Sequence, residues 1–175
     1  LTGSGPLEIN SSGSGLNGTI SLTGSGSGYT GTLTVSQGRF NFSGALGGSL
    51  IVAPTASSTA TTLGGGTSIA GNLTLNSTSK TVTFANTNGT LAITGNLSLT
   101  GTNVVSLAKP APGTTSVTLM TYGGTLTGNA ANLSLENAAS YRGTPVFDVA
   151  IPGQVRITGL NSQSLTWSGG TNLWN

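Results

Sequence analysis

The chain has 175 residues, and its composition already excludes several classes of protein. It contains neither cysteine nor histidine, so disulfides, zinc sites with Cys or His ligands and every nucleophile–histidine triad are excluded. Lys and Arg number 5 and Asp and Glu number 3, which gives a formal net charge of +2. Gly, Ser, Thr and Asn occupy 97 positions, more than half of the chain, so the first question is whether such a sequence folds at all.

The basic residues do not form a patch. Binding to nucleic acid requires clustered Lys and Arg, because the affinity comes from neutralising several phosphates at once. Here they stand singly, at Arg39, Lys80, Lys109, Arg142 and Arg156. We therefore expect no nucleic-acid partner. The sequence also has no apolar run long enough for a membrane-spanning helix and no start typical of a signal peptide, so we expect no transmembrane segment in this piece.

Apolar residues two positions apart, separated by a small or polar residue, recur along the chain. This is the period of a β-strand with one buried and one exposed face, and a disordered linker would not keep it. No stretch has the spacing of an amphipathic helix; in the nearest candidate, residues 128–139, Leu133 and Leu135 alternate with Ser134 as in a strand. In chain order the predicted strands centre on Leu7/Ile9, Ile20/Leu22, Leu33/Val35, Phe40/Phe42, Leu50/Val52, Leu73/Leu75, Val82/Phe84, Leu91/Ile93, Leu97/Leu99, Val105/Leu107, Val117/Leu119, Leu133/Leu135, Val155/Ile157 and Leu165/Trp167.

The strands are short and follow one another about every ten residues. Several begin shortly after a glycine, as at Gly31, Gly48, Gly71, Gly89 and Gly95. This pattern predicts an all-β fold, a right-handed single-stranded parallel β-helix in which residues 1–175 form one segment of about five coils with three strands each. An antiparallel β-sandwich is the alternative. It is disfavoured because such folds usually carry more aromatic and charged residues, and the hairpin signals Asn17-Gly18 and Asn88-Gly89 are few.

Residues 24–56 read GSGSGYTGTLTVSQGRFNFSGALGGSLIVAPTA. This stretch resembles the autotransporter-associated β-strand repeat of bacterial autotransporter passenger domains. The residues that match the family pattern are Tyr29, Thr30, Gly31, Val35 and Gly38. Two departures are Gly28, where the family usually has Asn, and Phe40, where it usually has Leu. Residues 165–175, LTWSGGTNLWN, resemble a segment that recurs in such passengers and mark the possible start of a further repeat.

The resemblance implies a β-helical passenger segment that is secreted across an outer membrane and displayed at the bacterial cell surface. We found neither the signal peptide nor the translocator barrel of such proteins in this sequence, so we read it as an interior piece of a longer passenger, or as one repeat of a fibrous surface protein. The expected partners are a host or neighbouring cell surface, or other copies of the chain bound through open solenoid ends.

An enzyme would have to use three carboxylates, Glu8, Glu136 and Asp148. Glu136 and Asp148 lie about one strand apart and could face each other across a groove, like the acid pair of a glycosidase. Such sites also contain basic and aromatic side chains, and here only Arg142 is near, so we interpret Glu136 and Asp148 as solvated charges.

No Asp follows the glycines at 64–66 and 169–170, which excludes a calcium-binding solenoid. We expect no catalytic residue, no cofactor and no metal site.

Threonine and aromatic residues raise two further questions. An ice-binding face would need Thr-x-Thr in successive coils, but the pairs at 32/34, 81/83 and 125/127 lie about 45 residues apart, so we interpret them as ordinary outward strand formers.

Four aromatic residues fall at inward positions of the alternation: Phe40, Phe42, Phe84 and Trp167. Four others fall near turns, where the sequence leaves open whether they cap the core or line a binding surface: Tyr29, Tyr122, Tyr141 and Trp174.

Three functions of different classes are compatible with these residues. The leading hypothesis is a non-catalytic structural or adhesive β-solenoid segment of a bacterial secreted or cell-surface protein. The second is a self-assembling subunit of an extracellular filament, and the third is a carbohydrate-active β-helix enzyme. The sequence leaves open whether the long loop 53–70 is ordered.

Overall fold

A computed structural model describes residues 1–10, 19–55, 59–63, 67–79, 81–86, 89–108, 110–111, 113–141 and 143–161. These residues are mostly β-structure, with single turns of 3-10 helix at Ala130–Asn132 and Ala138–Ser140. The strands in chain order are β1 (Thr2–Gly3), β2 (Leu7–Asn10), β3 (Thr19–Gly26), β4 (Gly28–Tyr29), β5 (Thr32–Leu46), β6 (Ser49–Val52), β7 (Thr59–Leu63), β8 (Ser68–Ile69), β9 (Leu73–Asn76), β10 (Val82–Asn86), β11 (Leu91–Ile93), β12 (Leu97–Thr100), β13 (Asn103–Leu107), β14 (Ser116–Tyr122), β15 (Leu126–Thr127), β16 (Leu133–Leu135), β17 (Val146–Asp148) and β18 (Gln154–Thr158).

The strands stack in parallel, so the chain is a β-solenoid. We name its three sides face 1, face 2 and face 3. Face 1 is formed by β2, the start of β5, β6, β9, β12 and β15, and each strand pairs in parallel with its neighbours. The same position of successive coils is occupied by Leu7, Leu33, Leu50, Leu73, Leu97 and Leu126. This register confirms the predicted parallel β-helix, and the antiparallel sandwich is wrong.

Faces 2 and 3 are built in the same way. Face 2 stacks β3, the middle of β5, β7, β10, β13 and β16 in parallel. Face 3 stacks the end of β5, β8, β11 and β14 in parallel. The single strand β5 bends through all three faces, whereas the three coils between β6 and β14 contribute a separate strand to each face. The middle of the molecule is therefore its most regular part.

The inward side chains form one narrow core along the axis. From face 1, Leu50 and Leu73 are 0% exposed, and Phe84 on face 2 and Ile69 on face 3 are also 0% exposed. The rings of Phe40 and Phe42 are nearly parallel, with centroids 6.0 Å apart, as expected for inward aromatic residues. Burying a Leu, Ile or Phe side chain stabilises a fold by about 1.5–3 kcal/mol. No single coil can enclose such side chains alone, so stability comes from stacking.

The C-terminal end departs from the parallel pattern. The predicted strand at Val155/Ile157 forms as β18, but it pairs antiparallel with β14 and with β17. The Tyr122 N–H donates a hydrogen bond to the Gly153 carbonyl oxygen at 2.9 Å, which ties the turn before β18 to the last coil. The interpretation of this segment as one more parallel coil is therefore wrong. A two-residue period specifies a half-buried strand but not its direction.

Several predicted features lie partly or wholly outside the described residues. The possible further repeat at 165–175, with Trp167 and Trp174, lies outside them, as do Asn17, Gly18 and Asn88. The basic residues Lys80, Lys109 and Arg142 also lie outside. Within the loop 53–70, residues 53–55, 59–63 and 67–70 are described and include β7 and β8, so this stretch supplies strands to faces 2 and 3.

Candidate functional site

Glycines line one corner of the solenoid, where the chain enters face 1 in each coil. We call the column Gly31, Gly48, Gly71, Gly95 and Gly124 the glycine corner; each member stands one or two residues before a face-1 strand. The Gly71 N–H donates to the Gly48 carbonyl oxygen at 3.0 Å, Gly95 to Gly71 at 3.1 Å, and Gly124 to Gly95 at 2.9 Å. The backbones of neighbouring coils therefore touch directly at this corner.

No side chain fits in the glycine corner. A Cβ added at Gly48 would lie 1.9 Å from the Gly31 carbonyl oxygen, and one at Gly71 would lie 2.7 Å from the Gly48 oxygen. Glycine is required here because of the close backbone approach. The close approach of the backbones explains why a glycine precedes the predicted strands at Gly31, Gly48, Gly71 and Gly95. The fifth, Gly89, precedes β11 on face 3 and has a positive φ of 107°.

A ladder of polar side chains runs beside the glycine corner. We call Ser49, Asn72, Asn96 and Thr125 the polar ladder. The Asn72 N–H donates to Ser49 Oγ at 3.0 Å, and the Asn96 N–H donates to Asn72 Oδ1 at 2.8 Å. Asn96 Oδ1 accepts two hydrogen bonds from Thr125, from its N–H at 2.8 Å and from its hydroxyl at 3.1 Å. Each bond joins one coil to the next, so the polar ladder holds the register of the stack.

Two polar side chains, Asn103 and Thr67, are fully buried in the part of the chain that the structure describes. Asn103 is 0% exposed, and its register partner in the next coil is Leu133. The Ser77 hydroxyl donates to Asn103 Oδ1 at 2.7 Å, and Asn103 Nδ2 donates to the carbonyl oxygens of Thr100 at 3.3 Å and Asn132 at 3.1 Å. Asn103 was not among the residues expected in the core. The available signal was the alternation Asn103, Val105, Leu107, which places an amide in an inward position.

The outer side of face 1 is polar and nearly uncharged. Thr32 and Thr34 lie on this side, as do Thr125 and Thr127, whereas the pair at 81/83 lies at the start of β10 on face 2. The column that contains Thr34 reads, from coil to coil, Glu8, Thr34, Ile51, Thr74, Ser98 and Thr127. The Thr-x-Thr pairs on face 1 are therefore separated by three coils without the motif, and the face lacks a regular threonine array.

The carboxylates proposed as an enzymatic pair have different surroundings. The Asp148 carboxylate accepts hydrogen bonds from the Ala150 N–H at 2.9 Å and from Arg156, with which it forms an ion pair. The Ala150 N–H, followed by the Arg156 hydrogen bond, lowers the pKa of Asp148 below its ordinary value of 3.8. Glu136 is exposed, and its side chain makes no hydrogen bond to Asp148. Asp148 is therefore committed to bracing the turn between β17 and β18.

The structure places the three tyrosines, for which the sequence left open a role in the core or in a binding surface. Tyr29, in the Tyr-Thr-Gly motif, is 3% exposed, and its hydroxyl lies 2.7 Å from the Gly5 carbonyl oxygen and 2.9 Å from that of Thr32. Tyr29 thus belongs to the core and ties the first coil to the second. The Tyr141 hydroxyl donates to the Leu107 carbonyl oxygen at 3.4 Å, and burial raises the pKa of Tyr141. Half-buried Tyr122 packs against the core.

A shallow cavity of about 200 Å³ lies beside β13 and β14. It is lined by Gly89, Leu107, Ala108, Pro110, Ala111, Thr114 and Val117. None of these side chains is an acid, a base or a nucleophile of the kind that hydrolytic enzymes use, apart from the Thr114 hydroxyl. The cavity is thus a recess whose wall is partly polar and partly apolar.

The two ends of the core differ in exposure. At the N-terminal end, Leu1, Leu7 and Ile20 are 46%, 41% and 45% exposed, although Leu7 and Ile20 occupy core positions of the first coil. At the C-terminal end, Leu133 is 6% exposed and Leu160 is 1% exposed. Val146 in β17 and Ile151 before β18 are 54% and 39% exposed, so apolar side chains are exposed at both ends of the described residues.

The described residues contain no group of three or more Asp, Glu, His or Cys side chains that could hold a metal ion. In the same part of the chain, no helix is long and apolar enough to cross a membrane. Comparison of the chain with protein-family models, curated proteins and solved structures gave no match.

Proposed function

We propose that the chain is a non-catalytic structural β-solenoid segment that works as a spacer or adhesive rod in a bacterial secreted or cell-surface protein of the autotransporter type. The observation that carries the proposal is the parallel stacking of face 1, from Leu7 to Leu126, around one mainly apolar core. A rod needs this continuity, because each coil must transmit load to the next through the same contacts. The glycine corner and the polar ladder repeat those contacts through the middle coils.

The surface supports a role in weak, repeated contact. The outer sides carry Ser, Thr and Asn with few charges, and five of the six side chains in the face-1 column from Glu8 to Thr127 are uncharged. Each such contact is weak, but repetition along a rigid rod multiplies the affinity when several engage together. The absence of cysteine is compatible with a chain that folds outside the cytoplasm, since no thiol can be mispaired in an oxidising compartment.

The export part of the proposal is tested by placing the chain between a signal peptide and an outer-membrane translocator barrel in a bacterial host. We expect antibody labelling of the chain on intact cells and resistance to added protease. The Gly71→Val variant should be labelled but cleaved, because it breaks the glycine corner. Gly5→Val is the matched control and should behave as the wild type, since a Cβ at Gly5 meets no atom within 4 Å. Retention of the wild-type chain inside the cell would contradict the proposal.

The adhesive part is tested with beads that carry the purified chain. Attachment to epithelial cells and to bacteria that display the chain should rise with the density of chain on the bead, because the contacts are multivalent. Beads that carry the unfolded Gly71→Val variant provide the control for nonspecific sticking. Equal attachment of both kinds of bead would leave the chain as a spacer without adhesive function.

The second candidate is a self-assembling subunit. The observation that favours it is the exposure of Leu7 and Ile20, which are 41% and 45% exposed although they occupy core positions of the first coil. The enzyme hypothesis has less support, because the Asp148 carboxylate is engaged by Arg156 and by the Ala150 N–H. It predicts polysaccharide cleavage that is lost in Glu136→Gln or Asp148→Asn, and a purified chain that cleaves no glycan would eliminate it.

A further inference from the structure

Two side-chain amides are exposed one above the other in the middle coils, beside the glycine corner. They belong to Asn72 and Asn96, successive members of the polar ladder. The Oδ1 atom of Asn72 accepts from the Asn96 N–H at 2.8 Å, and that of Asn96 accepts from the Thr125 N–H at 2.8 Å. A backbone N–H can only donate, so the atom that faces it is the oxygen. The Nδ2 amino group is therefore the outer end of each amide.

These two amino groups are held ready to donate to a ligand. Within the part of the chain that the structure describes, neither Asn72 Nδ2 nor Asn96 Nδ2 donates to a protein acceptor. The oxygen of each amide is already fixed by the next coil, so a ligand that binds the amino group costs little side-chain freedom. Neighbouring strands of a sheet lie about 4.7–4.9 Å apart, so the donors repeat at about this interval along the rod.

Between Thr34 and Thr127, the described residues on the outer side of face 1 carry no charge. From coil to coil, the central column holds Thr34, Ile51, Thr74, Ser98 and Thr127. The hydroxyl groups both donate and accept hydrogen bonds, and Ile51 adds an apolar contact. Without charge, this surface offers no electrostatic attraction to a nucleic acid, an acidic polymer or a charged membrane. Its chemistry therefore matches a neutral partner.

We propose that the column from Thr34 to Thr127, together with the amides of Asn72 and Asn96, binds a neutral linear polysaccharide that runs along the rod. Such a polymer carries oxygen atoms that accept from the amides and hydroxyl groups that pair with Thr and Ser, all without charge. Its groups repeat along the chain as the donors repeat along the solenoid, so several weak contacts engage together. This inference rests on the adhesive part of the proposed function and names the chemistry of its partner.

Binding of the purified chain to immobilised polymers tests the proposal. The probes are a β-glucan, a glucomannan and a dextran, with carboxymethylated dextran as the acidic counterpart, on sensor surfaces at physiological ionic strength, where exposed charges are screened. We expect binding to at least one of the three neutral polymers, and no tighter binding to carboxymethylated dextran. Failure to bind any neutral polymer, or a clear preference for the acidic one, would overturn the proposal.

Two variants, Asn72→Asp and Asn96→Asp, made separately, locate the surface. Asp keeps the oxygen that accepts from the next coil and replaces the amino group by a second oxygen, so the donor is lost while the polar ladder remains. We expect each variant to bind the polymer about three- to tenfold more weakly, with an unchanged circular dichroism spectrum. Asn41→Asp is the matched control; it adds the same charge on the outer side of face 2 and should bind as the wild type. Weaker binding by all three variants, or by none, would contradict the assignment.

The polysaccharide surface and the cell-surface role can fail separately. If beads that carry the chain attach to cells but the chain binds none of the three neutral polymers, the adhesive role stands with a protein partner and the polysaccharide is wrong. If the chain binds a neutral polymer through Asn72 and Asn96 but is retained inside the bacterial host, the binding surface stands and the display at a cell surface is wrong.

Discussion

The regular middle coils and the C-terminal end use the same kind of strand in two different ways. In the middle, Leu73–Asn76 pairs in parallel with Leu97–Thr100, and the coils touch at glycines that leave no room for a side chain. At the end, Gln154–Thr158 turns back and pairs antiparallel with Ser116–Tyr122, braced by the Asp148–Arg156 ion pair. The inward residues are equally apolar in both regions, since Val155 and Ile157 are 0% exposed like Leu73.

The two regions differ in what joins neighbouring strands. Apolar alternation supplies the buried face in both regions, but the middle coils also have a glycine and a polar ladder residue at the start of each face-1 strand. Those two residues fix the contact between coils through backbone and side-chain hydrogen bonds. Substitutions in the two regions should therefore have unequal effects.

The largest effect is expected from Gly71→Val, which breaks the middle coils at the glycine corner. The added Cβ would lie 2.5 Å from Ser49 Oγ and 2.7 Å from the Gly48 carbonyl oxygen, so neighbouring coils must separate. We expect a loss of about 4 kcal/mol or more in the free energy of unfolding, measured by chemical denaturation. The control Gly5→Val, at the base of the same column, should change it by less than about 0.5 kcal/mol. Equal losses would show that close coil contact is not what the glycines provide.

The second prediction compares two leucines that occupy the same face-1 position, one in a middle coil and one in the first coil. Leu73→Ala removes a side chain that is 0% exposed, while Leu7→Ala removes one that is 41% exposed. We expect losses of about 3 kcal/mol for Leu73→Ala and about 1 kcal/mol for Leu7→Ala. The denaturation midpoints of the two variants measure the difference. A Leu7→Ala loss as large as that of Leu73→Ala would contradict the difference in burial between the first coil and the middle coils.

A smaller effect is expected at the polar ladder. Asn96→Ala removes an oxygen that accepts two hydrogen bonds from Thr125, and we expect a loss of about 1–2 kcal/mol. Ser98→Ala, on the outer side of the same coil, is the control and should be nearly neutral. Amide hydrogen exchange at Thr125 should accelerate in Asn96→Ala alone. Unchanged exchange at Thr125 would mean that the ladder does not hold this coil in place.

The smallest effect is a dependence on pH at the C-terminal end. The Ala150 N–H and Arg156 lower the pKa of Asp148 in the folded state below 3.8. The ionised Asp148 therefore stabilises the fold above that pH, and this contribution to the free energy of unfolding is lost as the pH falls through the lower folded pKa. Asp148→Asn should remove this acid-dependent part of the unfolding midpoint, whereas Glu136→Gln should leave it in place. The comparison of both variants over the acidic range provides the measurement. A wild-type midpoint that does not change there would contradict the bracing role of Asp148.

Much of the fold could be predicted because its stabilising interactions repeat. The alternation at pairs such as Leu73/Leu75 and Leu97/Leu99 located strands, and the preceding glycines indicated stacked coils rather than hairpins. Short strands with little apolar content, such as β8 and β15, escaped notice because two residues cannot show a period. The reversed strand at Val155/Ile157 was assigned the wrong direction, since inward and outward residues alternate identically in parallel and antiparallel pairs.

The candidate site was less predictable than the fold. Asn103 and the polar ladder act through partners roughly one coil away in the sequence, so nothing in their local sequence identifies those partners. The carboxylates Glu136 and Asp148 were found from composition alone, but the ion pair with Arg156 depends on the hairpin that the sequence did not reveal. Tyr29 stood out through its motif, yet only the structure shows its hydroxyl beside the Gly5 and Thr32 carbonyl oxygens.

The parallel register of the middle coils is tested most directly by nuclear Overhauser contacts between backbone protons. The account predicts contacts that link Thr74 with Ile51 and with Ser98, its neighbours in the coils before and after. An antiparallel arrangement would instead link Leu73–Asn76 to Val82–Asn86, the next strand along the chain. Observation of that hairpin pattern, without the contacts between coils, would contradict the solenoid and the rod-like function proposed from it.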